Sequence, residues 1–256
     1  MALIANKLRK LVLKMVYDKQ SGHIGGSFSI AELICYLYNN YDLVAGNDKL
    51  ILSKGHAVPI LYAALYELGL LTDEDLNKFR EVDSPLQGHP DKTRLSYLHA
   101  TTGSLGQGLS IAIGHALAMR LKQTDNNVFC ILGDGELQEG QVWEAFMLAP
   151  KYELKNLICF IDYNKAQNDG YVKDILSLEP LEDKIKAFGW YTNLIDGQNY
   201  SEIEKAIDQI PDNNSLPVCI ILDTTKGAGV SFMESPAWHA AVPTLAEYEK
   251  AMEELC

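Results

Sequence analysis

Residues 128–164 read VFCILGDGELQEGQVWEAFMLAPKYELKNLICFIDYN. An apolar run at 128–132 ends in Gly-Asp-Gly, a helix-period segment follows at 140–152, and a second apolar run at 156–164 ends in Asp-Tyr-Asn. Short, uninterrupted apolar runs are strands covered on both faces, and a helix between two of them is the crossover of a parallel pair. The alternation continues with a helix near 178–188, the strand YTNLID at 191–196, a helix at 201–210 and the strand LPVCIILDTT at 216–225. In the helix at 201–210, Ser201 and Glu204 have the spacing of a capping box, which predicts Ser201 as the N-cap. Upstream, KLILS at 49–53 reads as a further strand between helices at 30–39 and 57–69. The expected fold is a single α/β domain over 1–256, a doubly wound and mostly parallel sheet with helices on both faces. Helices should dominate the first hundred residues.

Composition narrows the function. The chain has 256 residues and a formal charge of −12, with 22 Lys and Arg against 34 Asp and Glu. Such a surface argues against nucleic acid or an anionic membrane as partner. Any phosphate must be held locally, by backbone amides, a metal or a few placed cations. The five cysteines form no C-x-x-C pair and no metal spacing. Cys130, Cys159 and Cys219 lie inside apolar runs and read as buried thiols, which suits a reducing compartment. Leu8, Leu11, Val12, Met15 and Val16 recur at helical spacing among charges, so the N-terminal segment reads as an amphipathic helix and not as a signal peptide. A cytoplasmic location is the expectation.

In doubly wound sheets ligands sit beyond the carboxyl ends of the strands. Ser53-Lys54-Gly55-His56, Gly133-Asp134-Gly135, Asp162-Tyr163-Asn164 and Thr224-Thr225-Lys226-Gly227 stand there. Asp134 is the odd member, because a strand end before a helix normally welcomes an anion. A carboxylate about 4 Å from a phosphate would oppose it by ~4 kcal/mol at an effective dielectric near 20. A divalent cation such as Mg²⁺ between them removes the conflict, since it takes carboxylate, amide and phosphate oxygens together. Asn164 ends the next strand thirty residues on. If the two strands are neighbours, their ends lie about 4.8 Å apart and can share one ion. The alternative is that Asp134 merely caps the following helix. GDGELQEG does not give G-x-G-x-x-G, and no G-x-x-x-x-G-K-[ST] occurs, which argues against nicotinamide and P-loop chemistry.

SGHIGGS (21–27), LSKGHA (52–57) and GHPD (88–91) each put a histidine beside glycine in a loop, and PAWHAA adds His239. Histidines pooled in one cleft bind hydroxyls and an oxyanion, and move protons near neutral pH. His99 and His115 have no such setting. TTGSLGQG (101–108) opens a helix, so its amides could form a second anion nest.

Together SGHIGG, LSKGH, QGHP, TTGSLGQGL, GDGELQEGQVWEA and TKGAGVSFME…WH, in this order, resemble the N-terminal, diphosphate-binding part of a transketolase. The resemblance implies thiamine diphosphate and Mg²⁺, or another divalent cation, as cofactors. It implies Asp134 and Asn164 as metal ligands, with Ala166 lending a backbone carbonyl. Gly103, Ser104, Leu105, Gly135, His56, Lys226 and His239 correspond to cofactor contacts, and His23, His89 and His239 to histidines around the ketose. Glu139 corresponds to an acid at the interface between subunits. Ala166 stands where a larger aliphatic residue is usual, and Ala240 replaces a glycine beside His239.

Full-length transketolases continue into a pyrimidine-binding domain and a C-terminal domain. The resemblance therefore implies a partner, a separate C-terminal subunit, in an α2β2 assembly that works on ketose and aldose substrates, phosphorylated or not. Two alternatives stand beside this reading. One is another split thiamine-diphosphate enzyme, acting on a modified sugar or resembling deoxyxylulose-phosphate synthase. The other is a non-catalytic binding subunit.

Overall fold

The computed structural model describes residues 3–256. Its centre is a five-stranded sheet of β1 (Lys49–Leu52), β2 (Val128–Gly133), β3 (Leu157–Tyr163), β6 (Tyr191–Asp196) and β7 (Val218–Asp223), in the order β1-β2-β3-β7-β6. Every pairing within it is parallel. A two-stranded ribbon, β4 (Ala166–Gln167) with β5 (Gly170–Tyr171), lies outside this sheet and has no counterpart in the sequence reading. Its strands are too short to carry a periodic signal.

Alternate residues along each central strand feed two different cores, because successive strand side chains point to opposite faces. Phe129, Ile131, Phe160 and Ile220 join one apolar cluster with α1 (Ala5–Lys19), α3 (Ala31–Asn40), α4 (Pro59–Glu67) and α10 (Tyr200–Asp208). Cys130, Leu132, Cys159, Ile161 and Cys219 join the other, with α6 (Gly108–Leu121), α7 (Gly140–Lys151) and α9 (Leu181–Ala187). This two-sided burial is why β2, β3 and β7 read as solid apolar runs. The three cysteines are fully buried and free, as expected. Short helices α2 (Gly25–Phe28), α5 (Asp73–Asn77) and α8 (Val172–Ile175) complete the loops, and α11 (Leu245–Glu254) follows the last strand. Among the described residues no helix is long and apolar enough to cross a membrane.

The N-terminal helix buries Leu8, Val12, Met15 and Val16 as its periodicity predicts. Two local expectations change. The helix expected over 57–69 starts at Pro59, preceded by a 3₁₀ turn over Gly55–Ala57. Proline at the first helical position lacks only an N–H that would have no partner there. Ser201 is not an N-cap. Asn199 caps α10, its side chain accepting from Ser201 N at 3.1 Å, so Ser201 lies inside the helix. An asparagine two residues earlier satisfies a free amide of the first turn, and the serine spacing gave the wrong start.

Candidate functional site

The carboxyl ends of β1, β2, β3 and β7 open on a cavity of ≈ 280 Å³. Because β2 and β3 are paired, with Gly133 opposite Asp162, Asp134 and Asn164 arrive side by side as the spacing required. Of the residues anticipated from sequence, His56, Leu105, Asp134, Gly135 and Glu139 line this cavity. So do Asn164, Ala166, Lys226 and His239. His23 is one layer away, its ring centroid 5.1 Å from that of His56 and 5.4 Å from that of His239. Gly103 and His89 meet each other outside the cavity lining; a Cβ on Gly103 would sit 3.6 Å from the His89 ring. Ser104 is exposed and does not line the cavity.

Asp134 is 1% exposed. One of its oxygens accepts from Gly135 N at 2.7 Å, and the other from Lys165 N. It therefore does cap the 3₁₀ turn Gly135–Gln138, yet each oxygen keeps a lone pair for a further partner. Burial, then the charge of Asp162, push its pKa up. A carboxylate in that state gains from a cation. Asn164 is held by its neighbours on both sides: Nδ2 donates to Asp162 at 2.6 Å and Oδ1 accepts from Ala166 N at 3.1 Å. A nearby carboxylate can accept only, so it fixes which end of the amide faces it.

Asp162, named in the sequence only as a strand-end residue, organises the floor of the site. It is fully buried and accepts from Lys54 Nζ at 2.6 Å, from Ser29 Oγ at 2.7 Å, from Thr224 Oγ1 and from Asn164. Burial alone would raise its pKa, but the Lys54 charge and these hydrogen bonds hold it below the ordinary carboxylate value. Lys54 also donates to Gly26 O at 2.7 Å, tying the SGHIGG loop to the strand ends.

The oxygens available around Asp134 suit a hard divalent ion. One carboxylate, one amide oxygen and one backbone carbonyl leave room for phosphate oxygens to complete the shell. Among the described residues no three His, Cys, Asp or Glu are placed to hold a metal ion by themselves, so a cation here would draw on the amide and carbonyl oxygens as well. The Ala166 carbonyl already holds a positive charge: Lys226 Nζ donates to it at 2.8 Å and lies 3.2 Å from His239 Nδ1. An ammonium thus stands on the carbonyl where a metal would bind.

His23, His56 and His239 form a triangle, with His56 and His239 4.9 Å apart. Burial pushes His23 down to about 4, helped by Arg80. Burial and then Lys226 push His239 down to about 3, and burial holds His56 well below its ordinary value. His89 is lowered by burial and by Arg80. The triangle therefore offers neutral imidazoles at pH 7, each with one donor and one acceptor nitrogen. His23 Nδ1 is buried without a hydrogen-bond partner, an atom left for a ligand to satisfy. His99, set aside in the sequence, accepts from Leu50 N at 2.9 Å and serves the fold.

A doubly wound sheet thus gathers a buried carboxylate, an amide oxygen, a backbone carbonyl, a lysine and several histidines at its strand ends, the end where such sheets bind ligands. The thiamine-diphosphate-binding domain family of transketolases matches residues 1–254, and the chain belongs to it. A 6-deoxy-6-sulfo-D-fructose transketolase subunit from Clostridium sp. strain MSTE9 is 43% identical, with 96% of this chain and 95% of that one covered. A subunit of the apulose-4-phosphate transketolase from Phocaeicola vulgatus is 36% identical over 99% and 92% of the two chains. The solved transketolase of Campylobacter jejuni superposes with a TM-score of 0.91 at 33% identity, over 98% of this chain and 42% of that one. The chain thus matches subunit-type relatives nearly end to end and spans about two fifths of that solved transketolase.

Proposed function

We propose that the chain is the diphosphate-binding subunit of a two-subunit transketolase, transferring a two-carbon ketol unit from a ketose to an aldose. The observation that carries this reading is the meeting of Asp134, Asn164, the Ala166 carbonyl and Lys226 in one cavity with Leu105, His56 and His239. Asp134, Asn164 and the Ala166 carbonyl would hold Mg²⁺ or another divalent cation. Lys226 would leave that carbonyl when the metal arrives and turn to the diphosphate. Gly103, Ser104, Leu105 and Gly135 would line the rest of the cofactor, which when bound supplies the carbon nucleophile of ketol transfer.

The remaining steps belong to the chain's own side chains. Neutral His23, His89 and His239 would bind the ketose hydroxyls and donate to the oxygen that gains charge as the carbonyl is attacked. Their depressed pKa values keep one nitrogen of each free to accept a hydroxyl proton. Leu105 and the buried floor would help to keep water from the cofactor's reacting carbon. Glu139, exposed at the cavity rim, would face the partner. That partner is a C-terminal subunit carrying the pyrimidine-binding domain, in an α2β2 complex.

Relatives named for a sulfonated and a phosphorylated sugar support an anionic ketose as donor. A non-catalytic binding subunit fits less well, because it has no need for three neutral histidines and an orphaned His23 Nδ1 packed behind His56 and His239. The test is ketol transfer by the chain co-purified with its partner, using phosphorylated and sulfonated ketoses. Turnover should require both chains. Full turnover by this chain alone would refute the reading.

A further inference from the structure

The cofactor seating proposed above leaves one buried acid without a role. Glu136 is 2% exposed, and three donors converge on it from three loops. Its Oε1 accepts from Ser53 Oγ and from Gly106 N at 2.8 Å, and its Oε2 accepts from Gly133 N at 3.0 Å. Ser53 Oγ in turn accepts from Gly108 N at 3.0 Å, closing the start of α6. One carboxylate therefore ties together the loop after β1, the turn after β2 and the loop that enters α6. Those segments carry His56, Asp134 with Gly135, and Gly103 to Leu105.

The backbone around this knot has little freedom to settle elsewhere. Gly106 sits at φ +81°, and a Cβ there would lie 2.9 Å from Glu139 Cβ. A Cβ on Gly108 would lie 2.3 Å from the Ser53 side chain. Every group meeting Glu136 is a donor, so only an acceptor on both oxygens satisfies all three.

We propose that Glu136 is a positioning residue for the cofactor. It fixes the Gly103–Leu105 loop against the Gly133–Gly135 turn, and so sets the separation between the loop beside the thiazolium ring and the turn beside the diphosphate. This rests on the seating proposed above. Glu136 acts through the loops and takes no proton in the reaction.

The test is Glu136→Gln, which keeps size and shape but sets an NH₂ against one of the three donors. In the complex with the partner subunit, thiamine diphosphate with Mg²⁺ should bind about 10- to 100-fold more weakly by calorimetry, the range typical when a supporting group behind a ligand is lost. Backbone amides of Gly106 and Gly133 should exchange faster in the unliganded variant, with wild-type circular dichroism. A purely structural acid would lower the melting temperature and leave the affinity of the folded protein unchanged; that result overturns the proposal. Should Glu136→Gln fail to fold, Ser53→Ala decides, because it removes one donor and leaves the charge in place. The variant also frees Gly108 N, so binding should weaken by at least the roughly 2- to 10-fold typical of one lost hydrogen bond, and unchanged binding overturns the proposal. A wild-type complex with the partner subunit that binds no thiamine diphosphate overturns the seating itself, and this role with it. Wild-type binding matched by Glu136→Gln overturns this role alone.

Discussion

The two ends of the sheet differ in kind. At the amino ends of β2, β3 and β7 lies a cavity of ≈ 700 Å³ edged by Arg120, Thr124, Asp125, Asp212 and Asn214. None of its lining residues is buried, and among the described residues no buried ion pair supports it. At the carboxyl ends the cavity is smaller, yet Lys54, Asp134, Glu136, Asp162 and Lys226 are all buried around it. Burying charge is costly unless it is paired or awaits a ligand, so the polar investment, and not the volume, marks the site. Within that end two carboxylates divide the work. Asp162 is saturated with donors and serves the fold, whereas Asp134 keeps spare lone pairs and a raised pKa.

Replacing Asp162 should sharpen the contrast most. Asp162→Ala would strand the Lys54 ammonium and release Asn164, at a cost of about 3–5 kcal/mol read from denaturant unfolding. A loss below about 1 kcal/mol would deny Asp162 its structural role. Asp134→Asn should behave in the opposite way. Metal-dependent thiamine diphosphate binding should disappear by calorimetry, while the metal-free chain at pH 8 unfolds no earlier than wild type. The raised pKa gives the sign: Asp134 stabilises the metal-free fold only while protonated, and that contribution is gone once pH has risen through its folded pKa.

His23→Ala and His89→Ala should lower kcat by about 100-fold or more, the usual loss of a donor to a developing oxyanion, with cofactor affinity retained. Equal losses in cofactor affinity would place them at the diphosphate instead. The histidine triangle also makes a pH prediction. Depressed histidines add stability above about pH 6.5, and that stability is lost as pH falls toward 4. The wild-type melting temperature should therefore fall more steeply over that window than that of His239→Asn. The smallest effects belong to the opposite end, where Asp125→Ala and Asp212→Ala should change stability by no more than about 0.5 kcal/mol and leave turnover intact. A large effect there would break the comparison.

What was legible in the sequence follows the range of the interactions. The strands β2, β3 and β7 announce themselves because both faces are buried and no alternation blurs them. Asp134 and Asn164 could be paired because one crossover helix separates them. Lys54 and Asp162 are 108 residues apart, and nothing local distinguishes a lysine after a strand from a solvated one. Nothing in the sequence marks Glu136, because its partners Ser53 and Gly106 come from distant loops. Asn199 and Glu202 have the same spacing as Ser201 and Glu204, so that pattern alone does not choose between the two caps. The histidine loops were legible as a group, but the geometry sets His56 with His23 and His239 and leaves His89 over Gly103.

The most direct measurement is anomalous diffraction from crystals of the chain soaked with Mn²⁺ and thiamine diphosphate. The account predicts a single strong peak about 2.0–2.2 Å from an Asp134 oxygen, Asn164 Oδ1 and the Ala166 carbonyl, with Lys226 moved off that carbonyl. A bound cofactor with no metal there, or with Lys226 still donating to Ala166, would contradict it.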